Sequence, residues 1–138
     1  MAGGTLTSAL LKRVSRSFYL SLAVLPAAVR PTIGLAYLFA RAADTIADTR
    51  LIERRVRITH LTALRAEMTA PEPGRLAAII AAARPRSLAA ERDLIERLPD
   101  LYAAYRALAQ ADRERVRTVI ETIVLGMTLD LSVFPGED

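Results

Sequence analysis

The sequence contains no cysteine and only one histidine, His60. The absence of cysteine excludes disulfide bonds and thiolate metal sites, and it agrees with a cytoplasmic protein. A single histidine excludes zinc sites that need several imidazoles and the Glu-x-x-His pairs of di-iron bundles. Because His60 lies between Thr59 and Leu61, we expect a packing or surface role for it rather than a catalytic one.

Aromatic residues are also scarce, at 5% of the 138 residues, whereas 52% of the residues are hydrophobic, with alanine and leucine prominent among them. This composition favours packed helices over a β-sandwich, and no segment shows the alternation that is typical of a strand. The length suits one domain or part of one. The sequence therefore predicts an all-α fold.

The positive charge comes almost entirely from arginine, since Lys12 is the only lysine and the net charge is +4. Guanidinium groups match phosphate oxygens, so charge alone leaves nucleic acid, anionic lipid and a diphosphate open as partners. Most arginines alternate with acids, as in 53–55 and 112–115, which is typical of solvated helix faces. No basic block with interleaved aromatics occurs, so we expect no nucleic-acid binding.

An apolar run at 18–29 follows Lys12, Arg13 and Arg16, but Pro26 interrupts it. The run is shorter than the roughly 20 residues that cross a bilayer, and we do not interpret it as a signal peptide. A soluble cytoplasmic protein or one in peripheral contact with a membrane is expected. A buried helix explains the same run equally well.

Hydrophobic periodicity predicts a succession of helices. Two short helices or one broken helix precede Pro26, and the next helix begins between Ala27 and Pro31 and ends at Asp48 or Thr49. This helix is apolar on nearly all sides, which predicts a buried, central position. Further helices are predicted at 51–69, at 75–83, from a Ser87 cap to residue 98, from Pro99 to residue 111, and from an Asp112 cap to residue 131. The Pro-Glu-Pro-Gly cluster at 71–74 predicts a surface turn that ends the first of these helices.

Four polar residues share one face of the central helix. Tyr37, Arg41, Asp44 and Asp48 are spaced by four, three and four residues, which places them within roughly 60° of arc. Two carboxylates one turn apart can converge on Mg²⁺, which prefers oxygen ligands and often bridges to phosphates. Arg41 is placed to bind a diphosphate oxygen, and the Tyr37 phenol to donate a hydrogen bond or orient a cation.

A purely structural alternative is that the two aspartates end the helix and Arg41 neutralises Asp44. Acids near a helix C-terminus oppose the helix dipole, which argues against this alternative. The D-x-x-x-D spacing alone leaves both interpretations open.

Three segments resemble, in order and spacing, the squalene and phytoene synthase family: 14–19, Leu25-Pro26 and 37–48. The stretch 126–131 is similar to the G-M-x-x-D-L stretch that the family carries on a central helix. The resemblance implies the isoprenoid synthase helical bundle fold. It also implies head-to-head joining of two farnesyl or geranylgeranyl diphosphates through a cyclopropylcarbinyl diphosphate, giving presqualene diphosphate, squalene or phytoene.

The same resemblance implies the roles of individual residues. It places Mg²⁺ on Asp44 and Asp48, and it implies NADPH only if the product is squalene. It gives catalytic roles to the four residues 37, 41, 44 and 48. The positions matching the family's substrate-binding residues are Ser15, Arg16, Ser17, Phe18, Tyr37 and Arg41.

Two departures from the family pattern affect these expectations. The motif 44–48 lacks an additional internal acid, and no second D-x-x-x-D motif follows Asp130. We therefore expect residues 1–138 to be the N-terminal portion of a single all-helical domain. The missing C-terminal portion, or another chain, would complete the site, and this chain alone would be inactive. The alternative is a non-catalytic helical partner or regulatory module that retains half of the fold.

Overall fold

The computed structural model describes residues 9–10, 15, 20, 23–49 and 52–133, without the side chain of residue 86. Within these residues the structure is helical and contains no strand, which confirms the predicted all-α fold. Six α-helices have both ends in the described part: α1 Arg30–Asp48, α2 Arg54–Thr69, α3 Arg75–Ala83, α4 Ala89–Glu96, α5 Leu98–Arg106 and α6 Gln110–Val133. None of them combines the length and the apolarity that crossing a membrane requires.

Helix α1 is the centre of the fold and packs against α2, α4, α5 and α6. It begins at Arg30 with Pro31 in its first turn, where a proline costs no hydrogen bond, and it ends at Asp48 as predicted. Its buried face includes Leu35, Leu38 and Ile46. The prediction that α1 is buried on nearly all sides was wrong, because Asp44 and Asp48 are exposed and the helix has an open polar face.

Aromatic rings connect α1 to α5. Phe39 is fully buried and meets the rings of Tyr102 and Tyr105 edge-on, at centroid distances of 4.9 and 6.1 Å. The Tyr102 hydroxyl donates a hydrogen bond to the Leu64 carbonyl of α2. Burial, followed by the charge of Glu67, raises the pKa of Tyr102 well above its usual value, so the phenol remains a neutral donor. These contacts fix the buried side of the helix that carries the aspartates.

The turn before α3 and the cap before α4 differ in how well the sequence predicted them. The predicted turn at 71–74 is present, and Gly74 has a φ of 80°, a left-handed conformation that glycine adopts without a steric penalty. The prediction of a Ser87 cap was wrong. The Ser87 hydroxyl donates to the Ala83 carbonyl at 2.8 Å, and Leu88 occupies the cap position of α4 without a side-chain hydrogen bond.

The boundary between α5 and α6 also differs from the prediction. Helix α5 ends at Arg106 rather than at residue 111, and the chain turns at 107–109. Helix α6 already begins at Gln110, so Asp112 lies inside its first turn and is not its cap. The Asp112 carboxylate there still complements the positive end of the helix dipole. At the start of α2 the difference is smaller, since that helix begins at Arg54 instead of 51.

Candidate functional site

The open face of α1 carries the predicted site residues. Tyr37 and Arg41 are half-buried, whereas Asp44 and Asp48 are exposed. Partial desolvation and the nearby charge of Asp48 raise the pKa of Asp44, and the charge of Arg41 opposes this shift. The charge of Asp48 is thus one cause of the raised pKa, and desolvation of Asp44 is the larger one. Such a pair is electrostatically suited to a cation.

The structure also shows what Arg41 contacts. Its Nη2 donates a hydrogen bond to Oε1 of Glu91 in the first turn of α4, at 3.0 Å. Within the described part of the chain, the ion pair of Arg41 is therefore with Glu91 and not with Asp44. This contact argues against the alternative that Arg41 serves only to neutralise the neighbouring aspartate. Sequence reasoning missed Glu91, because the two partners are 50 residues apart.

A buried arginine from α2 supports the end of α1. The Arg57 side chain donates from Nη1 to the Ala47 carbonyl at 2.7 Å and from Nε to the Ile52 carbonyl at 3.0 Å, and the residue is only 2% exposed. A cation at a helix C-terminus interacts favourably with the helix dipole. Arg57 thus compensates for the two aspartates that lie at the unfavourable end of α1.

Arg57→Met is expected to lower the free energy of unfolding by about 2–4 kcal/mol, because the two carbonyls lose their partners and each loss costs about 1–3 kcal/mol. Urea denaturation measures this change. Arg55→Met, an exposed position on the same helix, is the matched control and should change stability by less than about 0.5 kcal/mol. Equal unfolding midpoints for the two variants would contradict the supporting role of Arg57.

The remaining predicted site residues are only partly described. Ser15 is half-exposed, and Arg16, Ser17 and Phe18 lie outside the described residues. The stretch 126–131 lies on α6, which packs against both α1 and α2, and Leu131 is buried there. No group of three or more His, Cys, Asp or Glu side chains within the described ranges is arranged to hold a metal ion. Asp44 and Asp48, the two predicted metal ligands, both lie on the open face of α1.

Comparison with known proteins identifies the family. The squalene/phytoene synthase family model matches residues 11–138. The chain belongs to the squalene/phytoene synthase family. A search of the curated proteins returned no match.

Two solved structures share the fold of this squalene/phytoene synthase family chain. One is TcSQS in complex with the ligand BPH1237, which is 22% identical with a TM-score of 0.78, over 96% of this chain and 36% of that one. The other is TcSQS in complex with the ligand E5700, which is 24% identical with a TM-score of 0.76, over 93% of this chain and 35% of that one. The likeness confirms the predicted squalene synthase helical fold. The chain spans about a third of the length of those structures.

Proposed function

We propose that this chain takes part in the Mg²⁺-dependent, head-to-head condensation of two prenyl diphosphates. The substrates are farnesyl or geranylgeranyl diphosphate, and the product is presqualene diphosphate, squalene or phytoene. The observation that carries this proposal is the open face of α1 in a chain of this family, where two exposed carboxylates lie one turn apart beside the half-buried Arg41. NADPH is required only if the product is squalene, and we assign no residues to it.

The residues of this face fit a magnesium-bound diphosphate. Mg²⁺ is commonly held by one or two carboxylates together with substrate phosphates and water, which two aspartates can satisfy. When bound, the metal neutralises the charge of the departing diphosphate. Arg41 would contribute N–H donors for the same oxygens, and the Tyr37 phenol would donate a hydrogen bond or orient a cationic intermediate. Ser15, Arg16 and Ser17 are proposed to bind further diphosphate oxygens, and Phe18 to border the prenyl chain.

We further propose that this face is one half of the complete site. A second pair of acids, supplied by the C-terminal portion of the domain or by another chain, would hold the diphosphate from the opposite side. In support of this proposal, no third His, Cys, Asp or Glu side chain of the described residues joins Asp44 and Asp48 in a metal-binding group, whereas catalysis requires the leaving group and the acceptor to be held together. The 138-residue chain alone is expected to bind diphosphate without turning it over.

Product formation tests the proposed reaction. Full-length protein is incubated with farnesyl or geranylgeranyl diphosphate and Mg²⁺, and the products are extracted and separated by chromatography. Asp44→Ala should abolish turnover, whereas Asp100→Ala, at an exposed acid on α5 that pairs with Arg97, should retain it. Undiminished turnover in Asp44→Ala would rule out this face as the active site. Diphosphate binding without turnover in the full-length protein would favour a non-catalytic helical module.

We also propose peripheral contact with a membrane, from which a lipid substrate would be drawn. Four apolar side chains before and within the first turn of α1 are exposed: Leu20, Val24, Val29 and Ile33. Val24 is 84% exposed, so its substitution does not disturb the core. Val24→Asp is expected to reduce co-sedimentation with phosphatidylglycerol vesicles about tenfold, since burying a valine contributes about 1.5 kcal/mol. Val119→Asp on α6, also exposed, is the control, and equal sedimentation of both variants would contradict the contact.

A further inference from the structure

The ion pair between α1 and α4 has an unusual local environment. Arg41 donates from Nη2 to Glu91 Oε1 at 3.0 Å, and the two side chains are 36% and 21% exposed. The Nε of Arg41 is buried and has no hydrogen-bond partner. The guanidinium thus lies partly inside the protein with one of its donors unsatisfied.

An unsatisfied buried donor costs free energy, which the side chain would recover by turning into water. Arginine also gains about 2 kcal/mol of rotamer entropy when its side chain is released. Both effects favour an outward, disordered Arg41. The charged hydrogen bond to Glu91 opposes them, because hydrogen bonds with two ionised partners are about twice as strong as neutral ones.

The structure does not support a direct role of Glu91 in metal binding. Within the described residues it does not join Asp44 and Asp48 in a three-acid cluster. Its carboxylate would also repel an approaching diphosphate if it acted alone. The contact with Arg41 is the route through which Glu91 can affect the site.

We propose that Glu91 is a positioning residue that holds the Arg41 guanidinium beside Asp44 and Asp48, ready to bind the oxygens of a magnesium-bound diphosphate. This inference rests on the proposed function of the α1 face. Glu91 contacts one terminal nitrogen of Arg41, and the other terminal nitrogen remains for the ligand. The benefit of holding the Arg41 guanidinium in place outweighs the repulsion between Glu91 and the diphosphate, because the charge of Glu91 is already paired with Arg41.

Binding of inorganic pyrophosphate with Mg²⁺ to the 138-residue chain, measured by isothermal titration calorimetry, tests this role. Glu91→Ala is expected to weaken binding about tenfold, the lower end of the effect of losing a supporting partner at a metal site. Glu91→Gln is expected to bind within about threefold of the wild type, because its amide oxygen still accepts the hydrogen bond from Arg41. Circular dichroism spectra establish that each variant is folded.

A double-mutant cycle separates positioning from a general structural effect. In the background of Arg41→Gln, the further change Glu91→Ala should cause no additional loss of affinity. If Glu91 had only a general structural role, Glu91→Ala would weaken binding by a similar factor in the Arg41→Gln background as well. Unchanged or tighter binding in both Glu91 variants would also overturn the positioning role, because it would show that charge repulsion dominates.

The wild-type titration separates failure of the proposed function from failure of the positioning role of Glu91. Absence of Mg²⁺-dependent pyrophosphate binding by the folded wild-type chain would overturn the proposed function, and the positioning role with it. Binding by the wild type that Glu91→Ala leaves unchanged would overturn the positioning role alone.

Discussion

Asp44→Asn is expected to abolish Mg²⁺-dependent binding of pyrophosphate to this chain and, at the same time, to raise its thermal stability in the absence of metal. The loss of affinity should be on the order of a hundredfold or more, since even indirect partners of a metal site are worth about 10–100-fold. Asparagine keeps the size of the side chain but removes the charge that attracts the cation. Isothermal titration calorimetry measures the affinity and differential scanning calorimetry the stability.

The gain in stability follows from the sign of the pKa shift. Partial desolvation and the charge of Asp48 raise the pKa of Asp44 in the folded chain above its ordinary value of 3.8. A raised pKa means that folding favours the neutral carboxyl, so the folded state is disfavoured as the pH rises through that value. At neutral pH the charged Asp44 therefore destabilises the chain, and asparagine removes this cost. The advantage of Asp44→Asn should disappear as the pH falls below 3.8.

Addition of Mg²⁺ and pyrophosphate should reverse the order of stability. Ligands that bind only the folded state stabilise it, so the melting temperature of the wild type should rise while that of Asp44→Asn stays constant. Asp100→Asn on α5 is the control, because its carboxylate is exposed and lies outside the site. Equal stabilisation of the wild type and Asp44→Asn by the ligands would contradict the metal-binding role of Asp44.

Phe39→Ala is expected to lower the free energy of unfolding by about 3–5 kcal/mol, the typical cost of deleting a buried phenylalanine. The ring is fully buried and lies edge-on to Tyr102, with an interplanar angle of 72°. Its removal leaves a cavity between α1 and α5. Because domains of this size have a total stability of about 5–15 kcal/mol, the loss is a large fraction of the whole.

Guanidinium chloride denaturation measures this effect. Phe39→Leu, which keeps most of the volume, should cost no more than about 1.5 kcal/mol. Val119→Ala on the exposed side of α6 should change stability by less than about 0.5 kcal/mol. A decrease in the free energy of unfolding of less than about 1 kcal/mol in Phe39→Ala would mean that this aromatic contact does not hold α1 in place.

The sequence predicted the elements that depend on local chemistry. Pro31 in a first turn and the apolar spacing that follows it gave α1 nearly correct bounds, and the helix 75–83 was predicted with the bounds it has in the structure. The four-residue face on α1 also followed from spacing alone. The caps at Ser87 and Asp112 were wrong, because a hydroxyl or carboxylate that can cap a helix can equally bond backwards or enter the first turn.

The long-range partners of the site could not be predicted in the same way. Glu91 and Arg57 belong to other helices, and their sequence surroundings look like those of any solvated charged residue. Only the packing of α4 against α1 brings Glu91 to Arg41. Only the packing of α2 against α1 brings Arg57 to the last turn of α1. Burial of Arg57 to 2% exposure is a tertiary property that no periodic pattern indicates.

The hydrogen bonds of Arg57 connect the end of α1 to the start of α2. The Arg57 guanidinium donates hydrogen bonds to the Ala47 carbonyl in α1 and to the Ile52 carbonyl just before α2. We therefore expect the end of α1 and the start of α2 to open together as one cooperative unit. Amide hydrogen exchange in both turns should proceed at a common rate, and Arg57→Met should separate the two rates. Opening of the turn that carries Asp48 should thereby depend on a contact with α2 as well as on the hydrogen bonds of α1 itself.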